Sequence, residues 1–494
     1  MSLDRLSAEA LLRAPDGKAI IFGERCYVWR DVRRVAEDVR VALQRSGIAA
    51  DAPVAFVSRN RPAALAALLA LIAQRRTIRM IYAFQSATGI ARDIDRLTPS
   101  AVIAFREDFS PEVRDALGRG GITAVALDEM AAAPLAGFER AGTAAQQQTG
   151  PAEPQIQILT SGTTGPPKPF AVSYALLERH FLASPLARQQ GEDPQASPPF
   201  LLYFPLGNIS GLYSTLPMLI RGQPVMLIER FTIEAWRDHI LRFRPVHSGL
   251  PPSAVQMVLD ANIPKEALAS LRAIGAGAAP LDPMVQAAFE ARYGIPILLS
   301  YGATEFAGPV AAMTAELHAQ WGKAKLGTVG RAMPGAQLRV VDAETGEILP
   351  PGAEGLLEVI SSRIGPDWIR TSDIARIDSD GFLFLHGRAD GAIIRGGFKL
   401  IPESIERALM THPAVSEAAV VGLRDGRLGE VPVAAVRPKP NVAPPSSSAL
   451  EAHLREHLLA THIPVKWLFC DDFPRTPSLK TDKNALRALF EKPG

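Results

Sequence analysis

One short segment organises the predicted architecture: Thr160-Ser161-Gly162-Thr163-Thr164-Gly165-Pro166-Pro167-Lys168-Pro169. It follows the apolar run 156–159, which alternates like a strand that enters a turn. Its glycines leave backbone N–H groups uncrowded, beside several hydroxyls and one ammonium. Such a loop can surround a polyphosphate with N–H and O–H donors and one positive charge. A polar surface turn is the alternative interpretation, because glycine and hydroxyl clusters commonly mark turns.

Length and composition limit the class of protein. For 494 residues we expect about two or three domains. Apolar residues make up 47% and charged residues 21%, as in a soluble globular protein. The formal net charge of +2 gives no basic field for nucleic acid, and the longest apolar segment, 63–73, is too short to span a bilayer. We therefore expect neither a nucleic acid nor a membrane as partner.

Cysteine usage predicts a reducing compartment, and the spacing of cysteines and histidines predicts no structural metal site. Cys26 and Cys470 lie far apart and give neither metal spacing nor a disulfide framework. The histidines, among them His247 and His386, are scattered, so the sequence predicts no histidine-rich metal cluster. The N-terminus has no apolar core followed by a cleavage site. A cytoplasmic location is the expectation.

Apolar runs and amphipathic segments alternate over the first 300 residues, which predicts an α/β fold with a mainly parallel sheet. The expected elements are a hairpin at 20–28, helices at 29–46, 63–75, 232–243 and 283–292, and strands at 53–57, 101–105, 122–127 and 224–228. Residues 131–154 are expected to form a surface connection. Ser173 is expected to cap a helix that ends near Ala183.

The pattern changes near residue 326 to short strands separated by turn residues, which predicts a small β-rich subdomain. The tail from Gly391 reads as an α+β unit. We expect in it a hairpin at 393–400, helices at 403–411 and 449–460, and strands at 417–422 and 431–436.

Several later motifs carry residues suited to a nucleotide. Tyr301-Gly302-Ala303-Thr304-Glu305 follows a strand, and ligands of open α/β sheets bind beyond strand C-termini. Tyrosine can stack on a base, threonine can bond to phosphate oxygen, and glutamate can ligate Mg²⁺. The small residues of 275–281 would let a flat ring lie against the backbone, or they serve only tight packing.

Four further positions complete the set of candidates. Asp373 can accept both hydroxyls of a ribose, and Arg388 can add a second polar contact. Lys480 lies in a proline-bearing, extended segment from which it could reach a neighbouring site; a solvated surface charge is the alternative. The lone amide of Asn208, in a glycine-bearing loop after an apolar run, suggests a cavity edge, with simple packing as the alternative.

Taken together and in this order, these motifs resemble the adenylate-forming superfamily: acyl- and aryl-CoA ligases above all, adenylation domains and luciferases. The resemblance covers most of the chain, from Tyr27 to Lys480, and rests on the segments 161–168, 301–305, 371–373, 387–390, 396–399 and 474–480. It implies a large N-terminal domain, 1–389, of mainly parallel sheets flanked by helices plus a β-rich subdomain. A small mobile α+β C-terminal domain, 391–494, would follow a hinge at Asp390.

The resemblance also implies site roles. The catalytic residues would be Lys480, bridging carboxylate and α-phosphate, Thr304 at the α-phosphate and Glu305 on Mg²⁺. The nucleotide and CoA contacts would come from Thr160, Ser161, Gly162, Thr163, Thr164, Gly165 and Lys168 for the phosphates, Gly277, Ala278, Tyr301 and Gly302 for adenine, Asp373 and Arg388 for ribose, and Gly396, Gly397 and Lys399 for the thiol step. The acid pocket would be lined by Tyr203, Asn208, Gly211, Gly249, Ala276, Phe306, Ala307 and Gly308, without Arg or Lys.

The implied activity is ATP-dependent ligation of a carboxylic acid to CoA. A monocarboxylate, aromatic or medium-chain aliphatic, would form acyl-AMP with pyrophosphate release and then the acyl-CoA thioester. ATP, Mg²⁺ and coenzyme A are the expected cofactors, and a homodimer is one expected assembly. The alternatives are an acyl-adenylate ligase that loads a separate carrier protein and a catalytically degenerate nucleotide-binding member. Departures from the family pattern leave rate and substrate class open: Pro169, Ser372, Lys399, Leu479 and Asn208.

Overall fold

The computed structural model describes residues 2–139, 149–160, 168–181, 193–395, 398–426, 428–440, 442–476 and 480–491. Ser161 to Gly165 and the pair Gly396-Gly397 lie outside the described residues, as do the side chains of Thr160, Lys168 and Lys399. The chain divides into two compact units, Met1–Pro245 and Val246–Gly494.

The first unit alternates strands and helices, as the sequence predicts. Its helices are α1 (Leu3–Leu11), α2 (Trp29–Arg45), α3 (Pro62–Ala73), α4 (Ala87–Leu97), α5 (Pro111–Gly120), α6 (Tyr174–Phe181), α7 (Ile209–Arg221) and α8 (Ile233–Phe243). Its strands are β1 (Lys18–Phe22), β2 (Arg25–Val28), β3 (Val54–Ser58), β4 (Ile78–Tyr82), β5 (Ala101–Phe105), β6 (Thr123–Leu127), β7 (Ala132–Pro134), β8 (Gln155–Thr160), β9 (Lys168–Ser173), β10 (Phe200–Leu202) and β11 (Val225–Leu227).

Two sheets form the frame of this unit. The larger has the order β7-β6-β5-β3-β4-β8-β9, and its strands from β6 to β8 are parallel. The smaller has the order β10-β11-β1-β2. Strands β3, β5 and β6 are buried along their whole length, as expected of parallel strands covered on both faces. The mainly parallel α/β architecture is therefore confirmed.

The second unit contains one mixed sheet, an antiparallel segment and an α+β tail. Its helices are α9 (Pro252–Asp260), α10 (Pro283–Tyr293), α11 (Ala315–Trp321), α12 (Pro402–Met410), α13 (Ser447–Arg455) and α14 (Lys483–Glu491). Its strands are β12 (His247–Gly249), β13 (Ala273–Gly277), β14 (Ile297–Ala303), β15 (Gly308–Ala312), β16 (Arg331–Ala332), β17 (Ala336–Val341), β18 (Glu354–Ser361), β19 (Ile369–Ile377), β20 (Leu383–Arg388), β21 (Ile393–Arg395), β22 (Phe398–Leu400), β23 (Val415–Asp425), β24 (Gly429–Pro438) and β25 (Trp467–Phe469).

The sheets of this unit have the orders β12-β13-β14-β15-β16, β17-β18-β19-β20 and β22-β21-β24-β23, with β25 beside β24. The β-rich segment and the α+β tail are thus present as predicted. Helix α13 ends at Arg455 rather than near residue 460, because the amides of His457 and Leu458 both bond to Leu454 O and close the last turn. Among the described residues, none of the helices is long and apolar enough to cross a bilayer.

Candidate active site

A side-chain hydrogen bond joins the C-terminal end of β14 to β19. The phenol of Tyr301 donates to Asp373 Oδ2 over 2.5 Å. The Tyr301 ring is buried, and its centroid lies 6.0 Å from that of Phe306. Burial, reinforced by the negative charge of Asp373, raises the pKa of Tyr301. The phenol therefore stays protonated and remains a donor at neutral pH.

Asp373 faces Arg388 across the antiparallel pair β19–β20. The Arg388 guanidinium donates to both carboxylate oxygens of Asp390, at 2.9 and 2.7 Å, and to Ser372 Oγ at 2.6 Å. The hydrogen bonds to Asp390 raise the pKa of Arg388, with further support from the charge of Asp373. Ser372, a departure from the family pattern, thus supplies an acceptor that positions Arg388.

Two hydrogen bonds join Lys480 to Thr476, the described residue before it in the chain. The Thr476 amide donates to Lys480 O at 2.7 Å, and the Lys480 amide donates to Thr476 Oγ1 at 3.1 Å. The side chain is exposed to solvent, yet nearby protein atoms partly desolvate its ammonium. This desolvation lowers the pKa of Lys480, Arg388 lowers it further, and Asp373 opposes the shift. The charges of Asp373 and Arg388 therefore act on this ammonium.

Thr304 and Glu305 occupy the short 3₁₀ turn Thr304–Phe306 that follows β14. Glu305 is exposed, and within the described part of the chain its carboxylate makes neither an ion pair nor a hydrogen bond. The oxygens of such a free carboxylate can serve as ligands of Mg²⁺. In proteins, Mg²⁺ usually binds one or two carboxylates together with phosphate oxygens.

Backbone constraints explain the small residues beside this turn. A Cβ on Gly277 would lie 2.7 Å from Ser300 Oγ, and one on Gly302 would lie 2.5 Å from Gly308 O. Close packing of neighbouring strands therefore requires both glycines. Ala278 has a φ of 67°, a conformation that is strained for alanine and that clusters at ligand sites.

The paired strands β8 and β9 bring the two ends of the predicted phosphate loop together. Thr160 and Lys168 are Cα partners in this antiparallel pair. The sequence prediction of a strand that enters a tight connection is confirmed up to Thr160.

Of the predicted acid pocket, Tyr203, Asn208 and Gly211 belong to the first unit. Tyr203 is buried, with the Phe204 ring centroid 4.3 Å and the Phe231 ring centroid 5.7 Å away. Asn208 precedes α7, and its Oδ1 is buried without a hydrogen-bond partner among the described residues. An orphaned buried acceptor costs free energy unless a ligand or water satisfies it.

The loop before α7 is held by Asn60, a residue that sequence reasoning missed. Asn60 is 1% exposed; its amide donates to Phe204 O and Ile228 O, and its Oδ1 accepts from the Leu206 amide. No local pattern signals this role, because these partners lie at least 144 residues away in the chain.

The other predicted pocket residues belong to the second unit. Gly249 and Ala276 lie on β12 and β13, and Phe306, Ala307 and Gly308 form the turn into β15. Arg363, which the sequence did not single out, donates to Pro309 O at 2.7 Å and to Ala307 O at 3.5 Å. A guanidinium therefore braces this turn from 54 residues further along the chain.

Comparison with known proteins places this geometry in a family. The family model described as AMP-binding enzyme matches residues 8–364, and that described as AMP-binding enzyme C-terminal domain matches residues 404–480. An indoleacetate–CoA ligase of Aromatoleum aromaticum is 31% identical over 506 residues, which cover 97% of this chain and 96% of that protein. A 2-succinylbenzoate–CoA ligase of Bacillus pumilus is 32% identical over 67% of this chain and 68% of its own length.

Solved structures agree with the fold. The amide bond synthetase McbA from Marinactinospora thermotolerans has a TM-score of 0.77 and 27% identity, with 99% of each chain covered. ATP-bound MatB from Rhodopseudomonas palustris has a TM-score of 0.79 over 100% of this chain and 99% of its own, at 22% identity. Because the AMP-binding model matches well over half of the sequence, the chain belongs to the AMP-binding family of adenylate-forming enzymes.

Proposed function

We propose that this enzyme is an ATP-dependent carboxylic acid:CoA ligase. In the first half-reaction, a carboxylate oxygen attacks the α-phosphorus of ATP, acyl-AMP forms and pyrophosphate leaves. In the second, the thiol sulfur of CoA attacks the acyl carbon and AMP leaves. The observation that carries the proposal is the hydrogen bond from Tyr301 to Asp373, which lies opposite Arg388 on the paired strand, in a chain that matches the AMP-binding family model.

The central difficulty of the first half-reaction is that two anions must meet. A cation placed between the carboxylate and the α-phosphate lowers their repulsion and fixes the angle of attack. We assign this role to Lys480. Thr304 would bond to an α-phosphate oxygen, and Glu305 would hold Mg²⁺, which when bound offsets phosphate charge.

The nucleoside is assigned to the residues around Tyr301. The Tyr301 ring would lie against adenine near Gly277 and Ala278, while Asp373 would accept the ribose hydroxyls. Because the Tyr301 phenol already donates to Asp373, that carboxylate is fixed before a nucleotide arrives. The Thr160 to Lys168 loop is proposed to hold the β- and γ-phosphates.

The second half-reaction is assigned to movement of the tail, 391–494, about Asp390. The Arg388–Asp390 pair lies at this junction, so the proposed hinge is anchored on its N-terminal side. The turn at Gly396-Gly397, with Lys399, would then form the face that admits the pantetheine arm.

The substrate is proposed to be a monocarboxylate, with aromatic acids preferred over medium-chain aliphatic acids. The relatives named above are ligases of indoleacetate, an aromatic monocarboxylate, and of 2-succinylbenzoate, an aromatic dicarboxylate, and a third relative, from Vanilla planifolia, is a 4-coumarate–CoA ligase. Their shared feature, an aromatic ring, supports the preference for aromatic acids. In the first unit, the rings of Tyr203, Phe204 and Phe231 supply aromatic surface, and Asn208 Oδ1 supplies a hydrogen-bond acceptor.

A panel of acids tests the proposal. Each acid is incubated with ATP, Mg²⁺ and CoA, and pyrophosphate, AMP and acyl-CoA are quantified separately. We expect equal amounts of AMP and thioester for at least one aromatic acid. Pyrophosphate release without thioester would favour transfer to a carrier protein, and ATP binding without any turnover would favour a degenerate member.

Amide formation is a second candidate function, favoured by the 27% identity to the amide bond synthetase over nearly the whole chain. Replacing CoA with a primary amine in the same assay separates the two: a ligase of the proposed type forms thioester faster than amide.

A cytoplasmic location and a homodimer complete the proposal; a reducing compartment would keep Cys26 and Cys470 as free thiols.

A further inference from the structure

The end of α13 brings together His453, Glu456 and His457, with one ligand atom of each within 4.8 Å of the others. Residues spaced i, i+3 and i+4 lie on one side of a helical turn, and the His457 and Leu458 amides, which both bond to Leu454 O, continue that turn past the end of α13 at Arg455. The expectation that the histidines are scattered is therefore wrong for this part of the chain. The signal was present in the sequence as His453-Leu454-Arg455-Glu456-His457.

The backbone beneath these side chains is well anchored. Glu456 keeps right-handed helical angles, with φ −73° and ψ −22°, and the His457 amide donates to Leu454 O at 3.0 Å. In the same helix, Leu450 and Leu454 are fully buried in the core of the tail. The three polar side chains therefore project from a helical turn whose position is fixed by packing.

Hydrogen bonds indicate which nitrogen of His453 carries its proton. His453 Nε2 lies 3.2 Å from Ala408 O and 2.8 Å from Thr411 Oγ1. The carbonyl can only accept, and the Thr411 hydroxyl donates its own proton to Ala408 O at 2.7 Å. A proton on Nε2 fits both contacts, and with that tautomer Nδ1 keeps a free lone pair. A metal-binding histidine commonly donates its other N–H to a backbone carbonyl in this way.

We propose that His453, Glu456 and His457 bind a divalent transition ion of the Zn²⁺ class. Two imidazoles and one carboxylate suit Zn²⁺, whereas Mg²⁺ and Ca²⁺ prefer oxygen ligands alone. Tetrahedral Zn²⁺ needs ligand atoms roughly 3.3 Å apart. Glu456 and His457 are exposed, so rotation of their side chains can close the present separation. Water would take the fourth position.

His412 lies beside the site but does not complete it. Its ring packs edge-on against His453, with centroids 5.2 Å apart, and its Nδ1 accepts the Ala414 amide at 3.2 Å. The neutral ring therefore carries its proton on Nε2 and offers no free lone pair. We assign His412 a positioning role, in which it limits rotation of the His453 ring.

Binding would stabilise the tail. An ion on Nδ1 draws electron density from the His453 ring and strengthens donation from Nε2–H to Ala408 O, which belongs to α12. The ion would thus fasten α13 to α12. This site is independent of the proposed ligase reaction, since none of its ligands has a role in that reaction.

Zn²⁺ binding to the full-length, untagged protein tests the site. ZnCl₂ is titrated against a chromophoric chelator, and thermal unfolding is followed with ZnCl₂ or MgCl₂. We expect one equivalent of Zn²⁺ to bind and to raise Tm, and MgCl₂ to leave Tm unchanged. His457→Gln and Glu456→Gln should each weaken Zn²⁺ binding at least about tenfold.

His462→Gln, in the same tail but outside the cluster, is the matched control and should bind Zn²⁺ as the native chain does. Circular dichroism checks that each variant is folded, which is expected because Glu456 and His457 are exposed. Absence of stoichiometric Zn²⁺ binding to the native chain would overturn the proposal. So would native affinity in both ligand variants, or an equal loss in His462→Gln.

Discussion

Tyr301 donates a 2.5 Å hydrogen bond to Asp373 and so joins two strands that are 72 residues apart in the chain. The bond fixes the carboxylate that we assign to ribose. Tyr301→Phe keeps the ring but removes the donor, so Asp373 loses one of its positioning contacts. We expect the KM for ATP to rise about three- to tenfold, as for loss of one hydrogen bond.

The measurement is pyrophosphate release at varied ATP. Tyr293→Phe is the control, because Tyr293 bonds to Val258 O and Ile263 O, away from this grouping. An unchanged KM for ATP in Tyr301→Phe, or an equal rise in Tyr293→Phe, would contradict the role given to the Tyr301–Asp373 bond.

The pH profile of adenylation should reveal Lys480. Desolvation and Arg388 lower the pKa of its ammonium, so the proton is lost at a lower pH than from an ordinary lysine. We therefore expect kcat/KM for pyrophosphate release to fall as pH rises, beginning below the usual lysine range near about 10.4. Lys480→Arg should lack this alkaline fall, since a guanidinium stays protonated. The same fall in Lys480→Arg would assign it to another group.

The hinge at Asp390 can be tested with two substitutions. Asp390→Pro restricts the backbone and also removes the carboxylate that holds Arg388. Asp390→Asn removes the charge alone. We expect Asp390→Pro to slow thioester formation more than adenylation, whereas Asp390→Asn affects both steps alike. A normal rate of thioester formation in Asp390→Pro would contradict the assignment of the hinge to residue 390.

Two asparagines near the same loop should respond differently. Asn208 Oδ1 has no partner among the described residues, so Asn208→Ala should raise the KM for the acid with little loss of stability. Asn60→Ala breaks bonds to Phe204, Leu206 and Ile228 and should lower the free energy of unfolding by about 1–3 kcal/mol. Denaturant unfolding and acid titrations distinguish these outcomes; the reverse pattern would contradict both assignments.

The sequence predicted strands well where apolar residues are continuous, and it missed several that are short or interrupted. These include β4, β9, β25 and β7, and β7 pairs with β6 inside the segment 131–154 that was predicted to be a surface connection. Strand β4 carries Arg79 between apolar neighbours, so its pattern did not stand out. In the fold, the Arg79 guanidinium donates hydrogen bonds to Leu97 O and Gln157 Oε1, which gives its N–H groups partners beside the sheet. Partners distant in sequence make this strand stable, and a local pattern cannot reveal them.

The prediction of site residues has the same limit: local motifs reveal residues, but not their contacts with residues distant in the chain. Tyr301, Asp373 and Arg388 were predicted because each lies in a recognisable motif, and the structure brings them together. Their mutual contacts were not predictable, and neither was the support from Asn60 and Arg363. These depend on which strands become neighbours, which only the folded chain determines.

Comparing the two half-reactions in Lys480→Ala tests the central claim most directly. Pyrophosphate release from acid and ATP measures adenylation, and thioester formation from supplied acyl-adenylate and CoA measures the second step. If Lys480 holds the two anions together, adenylation should fall on the order of 10²–10³-fold while thioester formation changes far less. Equal losses in both half-reactions, or full adenylation without the ammonium, would contradict the mechanism.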